Sequence, residues 1–232
     1  MSPGRVEWLP PEFAVVGDET FPARHVWCVG RNYAEHAREM GADPKARAPV
    51  FFSKPAAALI NSDTVDYPAS TDSLHHEVEL VVFLGRGGRN LDPVECLERI
   101  YGYAVGVDLT RRDVQAKAKQ AGHPWELSKG FDQSAPIGPI VPAGQWVPSE
   151  ESLIELQVNG MVRQQAVLGD MIWSVGELIA RLSCEVTLHP GDAVFTGTPA
   201  GVAALEIGDR VVARIAGLPS LAFTVRQPQA EG

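Results

Sequence analysis

Cysteine is scarce in this chain. Cys28, Cys96 and Cys184 are odd in number and far apart, with no CxxC pair, so no disulfide framework staples the fold. They read as reduced, buried thiols of a cytoplasmic protein, and none sits in a context that would activate a nucleophile. Positive charge is also short. A net charge of −9 and a pI of about 5.1 argue against a nucleic-acid partner. No apolar run approaches the length of a membrane span, and the N-terminus carries no charged-then-apolar targeting stretch. GxSxG and HExxH are absent, which leaves serine-hydrolase and zincin chemistry without support. TGTPAG (196–201) is not followed by GK[ST], and GRGG (85–88) has the wrong context for a dinucleotide fingerprint.

What is present is a soluble-type composition over 232 residues, enough for one large domain to bury a core without metal or disulfide staples. The 22 glycines and 18 prolines fit many turns between short strands. The first 24 residues read as a short β arm, and residues 25–232 as a single domain. HVWCVG (25–30), PVFFSKP (49–55), the run ending HHEVELVVFLG (75–85) and YGYAVGVDL (101–109) read as strands. Asn32 with Glu35 and Gly41 marks a helix start and stop. Asp92-Pro93 starts a second helix, Thr110 with Asp113 a third, and Ser174 with Glu177 a fourth. Asn159-Gly160 centres a hairpin. Strands and helices do not alternate strictly, so the expected class is mostly β with peripheral helices (α+β).

The chemistry concentrates in the acids. Glu77 and Glu79 are two apart in a Val/Leu-rich run, hence on one face of a strand. Buried together they repel each other and lose solvation, which a hard divalent cation with oxygen ligands would relieve. Two harmless acids on a solvent-facing edge strand fit the same pattern. Asp108, ending the next strand, would be a third ligand for Mg2+ or Mn2+; as a strand-end acid it also suits a turn. His36 and Glu39 are three apart on the first helix and could form a water-activating pair, or a solvated surface pair. Arg112 and Gln115 repeat that spacing and could grip a carboxylate, or lie on a solvated face. Lys129, among apolar and small residues, could stabilise an oxyanion. The TGTPAG loop, with Thr198 at its centre, offers hydroxyl and N–H donors to an anion. His75 and His76 read as supporting residues rather than ligands.

Taken in order, VGRNYAEHAREMG, FFSKP, HHEVEL, GYAVGVDLTRRDVQ, PWELSKGFD, SAPIGP, VNG and FTGTPAGV resemble the fumarylacetoacetate hydrolase family across roughly residues 25–225. The chain is similar to its short, single-domain branch, which includes acylpyruvate hydrolases, fumarylpyruvate hydrolases, and oxaloacetate decarboxylases or tautomerases. The resemblance implies a mixed β-roll and a homodimer. It implies Glu77, Glu79 and Asp108 as metal ligands and His36/Glu39 as a dyad on a lid spanning about 31–47. Lys129 would stabilise the oxyanion, and Arg112, Gln115 and Thr198 would line the pocket of a small anionic 2-oxo acid. CVGRNYAEHAREMG and KGFDQSAPIGP look most like fumarylpyruvate hydrolases. The implied reaction is metal-dependent cleavage of an acylpyruvate to a carboxylic acid and pyruvate, with oxaloacetate decarboxylation or tautomerisation as the rival.

Overall fold

A six-stranded mixed sheet carries the acids. Its strands lie in the order Val141–Pro142, Ile100–Val107, Val78–Leu84, Asp192–Phe195, His25–Gly30 and Val50–Lys54. Neighbours run antiparallel except for the parallel pair Asp192–Phe195 and His25–Gly30. The computed structural model describes residues 9–33 and 48–228. The helix expected from Asn32 to Gly41, the lid it belongs to, and His36 and Glu39 on it fall almost wholly outside the described residues.

A second sheet has the order Met161–Val167, Leu153–Val158, Arg210–Ile215, Leu221–Arg226 and Thr64–Asp66, its last pair parallel. The first two strands form the hairpin expected at Asn159-Gly160, both with positive φ. Along Val78–Leu84 the side chains alternate between two cores. Leu80, Val82 and Leu84 join Ile154, Leu156, Ala213 and Phe223 of the second sheet. Val81 and Phe83 pack on the opposite face with Cys28, Ala104, Phe195 and the Phe13 and Phe21 side chains of an N-terminal hairpin, Glu12–Val15 with Glu19–Pro22. With every residue of this strand buried, side chains such as Phe83 each contribute about 1.5–3 kcal/mol of transfer free energy.

The helices are short and lie against this frame, so the molecule is mostly β, as expected. Helix Pro93–Leu97 starts as read: the Asp92 carboxylate accepts from Val94 N and Glu95 N, both at 2.9 Å. Helix Val175–Glu185 has the Ser174/Glu177 capping box and sends Val175, Leu178, Ile179 and Leu182 into the first core. The third start differs. Thr110 and Arg111 pair with His75 and Leu74 as a short strand, and the helix runs Arg112–Ala121 with no side-chain cap. Asp113 is taken elsewhere: it accepts from Thr71 Oγ1 and from Asp72 N. Among the described residues no helix is long and apolar enough to cross a membrane.

Candidate metal centre and active site

Strand register assembles the acids. Glu79 pairs with Gly106 across the antiparallel ladder, and one step further Asp108 N donates to Glu77 O at 2.8 Å. Glu77 therefore sits opposite Asp108, and Glu79 beside them opposite a residue with no side chain. One ligand oxygen from each acid lies within 4.8 Å of the others. Relative exposures are 8% for Glu77, 1% for Glu79 and 0% for Asp108. The strand is internal to its sheet and buried throughout, which removes the edge-strand alternative.

Three cationic side chains compensate most of this buried charge. Lys129, at the end of the short helix Glu126–Lys129, donates through Nζ to Glu77 Oε2 at 2.8 Å and to Asp108 Oδ2 at 2.5 Å. Lys54, wholly buried at the end of its strand, pairs with Asp108 Oδ1 at 2.8 Å. It also reaches three carbonyls: Leu109 at 3.2 Å, Ser134 at 3.0 Å, and Lys129 in a close contact. Arg112 pairs with Glu77 Oε1 through Nη2 and donates to Gln115 Oε1 at 2.7 Å through Nη1. Burial alone would push the Glu77 carboxyl up, but the Lys129 and Arg112 charges outweigh it and hold it at about 2. Burial also opposes the Lys129 charge, and the Asp108 and Glu77 carboxylates reverse that and raise its pKa.

Glu79 has no such cation among the described residues. Its Oε2 accepts from Gly197 N at 2.6 Å. Burial and then the Asp108 and Glu77 charges push its carboxyl well above the usual range. A buried carboxylate that its own chain leaves short of positive charge, beside two more carboxylates, is a donor set that suits a hard divalent cation. The residues present therefore fit a Mg2+ or Mn2+ ion held by Glu77, Glu79 and Asp108.

The other expected site residues are partly gathered here. Lys129 and Arg112 converge on the acids and Gln115 is joined to them through Arg112, although Arg112 is turned to Glu77 rather than presenting an open fork. Thr198 follows Gly197, whose N–H touches Glu79, and its hydroxyl accepts from Gln164 Nε2 at 2.8 Å. His76 is buried with Nδ1 on Gln164 Oε1 at 2.8 Å, and burial lowers its pKa, in keeping with a neutral supporting ring. Three residues were missed by sequence reasoning. Lys54 lies in the FFSKP segment, where a lysine between strand and proline carries no signal of its contacts. Gln164 lies in a polar hairpin strand, MVRQQAV, where no local pattern marks one glutamine as turned inward. Asn32, read as a helix cap, bonds the backbone of Trp173 and Thr196 through its side chain.

Known proteins show the same architecture. The structure of fumarylpyruvate hydrolase from Pseudomonas aeruginosa, in complex with Mn2+ and pyruvate, superposes with a TM-score of 0.92 at 45% identity, covering 97% of this chain and 99% of that one. Among curated relatives, the mitochondrial oxaloacetate tautomerase FAHD1 of Arabidopsis thaliana is 42% identical over 202 residues, 86% of this chain and 90% of the relative. Oxaloacetate tautomerase YcgM of Escherichia coli K12 is 43% identical over 193 residues, 82% of this chain and 88% of the relative. The model for the fumarylacetoacetate (FAA) hydrolase C-terminal domain matches residues 25–226, a span that takes in every site residue described above, and the chain belongs to that family.

Proposed function

We propose that this protein is a divalent-metal-dependent hydrolase of acylpyruvates, with fumarylpyruvate as its substrate and fumarate and pyruvate as products. The observation that carries the reading is the buried Glu77/Glu79/Asp108 cluster bridged by Lys129, in a chain 45% identical to a fumarylpyruvate hydrolase over nearly its full length. A cation held by the three acids would supply Lewis acidity toward the oxygens of a 2-oxo acid. The charge count favours a dianion. Lys54, Lys129 and Arg112 pair with Glu77 and Asp108. Counting Glu79, which pairs with no cation among the described residues, as a third carboxylate, a divalent ion would leave two positive charges, and fumarylpyruvate carries two negative ones.

The side chains then divide the work. His36, oriented by Glu39, takes a proton from water as it attacks the acyl carbonyl; both roles rest on family resemblance. Lys129 has three N–H donors, and among the described residues Glu77 and Asp108 take two of them, leaving one for the developing oxyanion. The bond between the acyl carbon and the pyruvate methylene breaks with its electron pair on the pyruvate side, and that carbon takes up a proton. Gln115, whose amide N–H groups are not used by Arg112, and Thr198 contribute donors to the substrate's anionic end. A homodimer is the assembly this family reading carries with it.

A second reading, oxaloacetate tautomerase, is favoured by the relatives of that name at 42% and 43% identity. It uses the same acids and Lys129, and oxaloacetate is also a dianion. The test follows the diketo-enol ultraviolet absorbance of fumarylpyruvate with Mn2+, with Mg2+ and with EDTA, quantifies pyruvate in the same tube, and follows oxaloacetate enol decay alongside. The proposal expects metal-dependent loss of absorbance with one pyruvate released per substrate consumed. No pyruvate, with brisk loss of the oxaloacetate enol, would move the protein to the tautomerase reading.

A further inference from the structure

Met161–Val167 is an edge strand whose side chains are exposed or half-buried, except for Gln164 at 1% exposure. A bulge aims it inward. Leu156 pairs with Gln164 and Gln157 with Val162, so Arg163 is the extra residue. The TGTPAG loop presses on the same point: a Cβ on Gly201, at φ +96°, would lie 2.1 Å from Arg163 O.

The Gln164 amide is fully used, and two backbone groups fix which way it faces. Val78 N–H can only donate, and it reaches Oε1 at 3.1 Å; Pro199 C=O can only accept, and it takes Nε2 at 2.9 Å. With that orientation set, His76 Nδ1 must carry the proton it shares with Oε1 at 2.8 Å, and Nε2 must donate its other hydrogen to Thr198 Oγ1 at 2.8 Å. Thr198 therefore spends a lone pair on Gln164, and its own O–H meets no acceptor among the described residues. Thr198 is only half-buried, and its neighbour Gly197 touches Glu79.

We propose that Gln164 is a positioning residue for the reaction: it forces the Thr198 hydroxyl to present its proton to an anionic oxygen of the 2-oxo acid. It also ties the loop to His76 and Val78, the residues on either side of Glu77. The inference rests on the active-site reading given under Proposed function.

The test measures oxalate, a planar stand-in for the carboxylate and adjoining oxygen of a 2-oxo acid, binding to Mn2+-loaded protein by calorimetry. In Gln164→Glu the carboxylate cannot donate, so the Thr198 proton turns toward it and away from the ligand. Gln164→Glu and Thr198→Val should each weaken oxalate binding about tenfold to a hundredfold, the worth of one hydrogen bond to a charged group. Mn2+ affinity should hold, Thr198→Ser should bind as wild type, and the double variant should be no weaker than the weaker single. If Gln164→Glu does not fold, Gln164→Met must show the same non-additivity with Thr198→Val. Wild-type-like oxalate binding in the Gln164 variants, loss of Mn2+ along with oxalate, or single losses that multiply in the double variant would each overturn this inference alone. A wild-type protein that binds Mn2+ and no oxalate would overturn the active-site reading with it.

Discussion

Two buried lysines touch the same aspartate and differ in what they have left to give. Among the described residues Lys54 has four acceptors around three N–H groups, whereas Lys129 has two carboxylates and one N–H unspent. Lys54 is therefore a fastener that holds Asp108 and the carbonyls of Leu109, Lys129 and Ser134 together, and Lys129 is the lysine with a donor for chemistry. Lys54→Met should cost about 3–5 kcal/mol in denaturant unfolding of the metal-free protein, because it strips a buried carboxylate of one partner. Lys129→Met strips both Glu77 and Asp108 of a partner and should cost stability as well, and the protein that remains folded should lose about 10²-fold or more in kcat. Equal stability of Lys54→Met and wild type would contradict this division. The acids and Lys129 were legible in the sequence because charged residues in apolar runs stand out locally. Lys54 was not, because its partners lie 55 and 80 positions further along the chain.

At the scale of elements, alternation and capping are local physics and could be read directly. The strand around Glu79, the Asp92 and Ser174 caps and the Asn159-Gly160 hairpin all follow from neighbouring residues. The start of helix Arg112–Ala121 could not, because Thr110 is drawn into pairing with His75, a tertiary contact that overrides a capping pattern. Register was equally hidden, yet it decides the site. Gly106 opposite Glu79 has no room to spare: a Cβ there would lie 2.5 Å from Val81 Cγ2 and 2.8 Å from Phe195 Cε1. Gly106→Ala should cost about 1–3 kcal/mol in thermal or denaturant unfolding by overpacking. It should also weaken Mn2+ binding, since the strands carrying Glu79 and Asp108 must move apart. Wild-type stability and metal affinity in this variant would show that the ladder does not set the spacing of the acids.

For the whole molecule, one sheet with a core on each face supports the site. Its central strands come from segments far apart in the chain, such as His25–Gly30 beside Asp192–Phe195, a pairing that no local pattern announces. The mostly β class was legible from many short apolar runs; the sheet order was not. That frame holds three carboxylates where water cannot solvate them and leaves Glu79 without a cation of the chain's own among the described residues. The most direct test of this account is a calorimetric titration of metal-free protein with Mn2+, repeated on Glu79→Gln and Asp108→Asn variants shown by circular dichroism to be folded. The account predicts one Mn2+ per chain in the wild type and at least a tenfold loss of affinity in each variant. A wild-type protein that takes up no Mn2+, or variants that bind it undiminished, would contradict it.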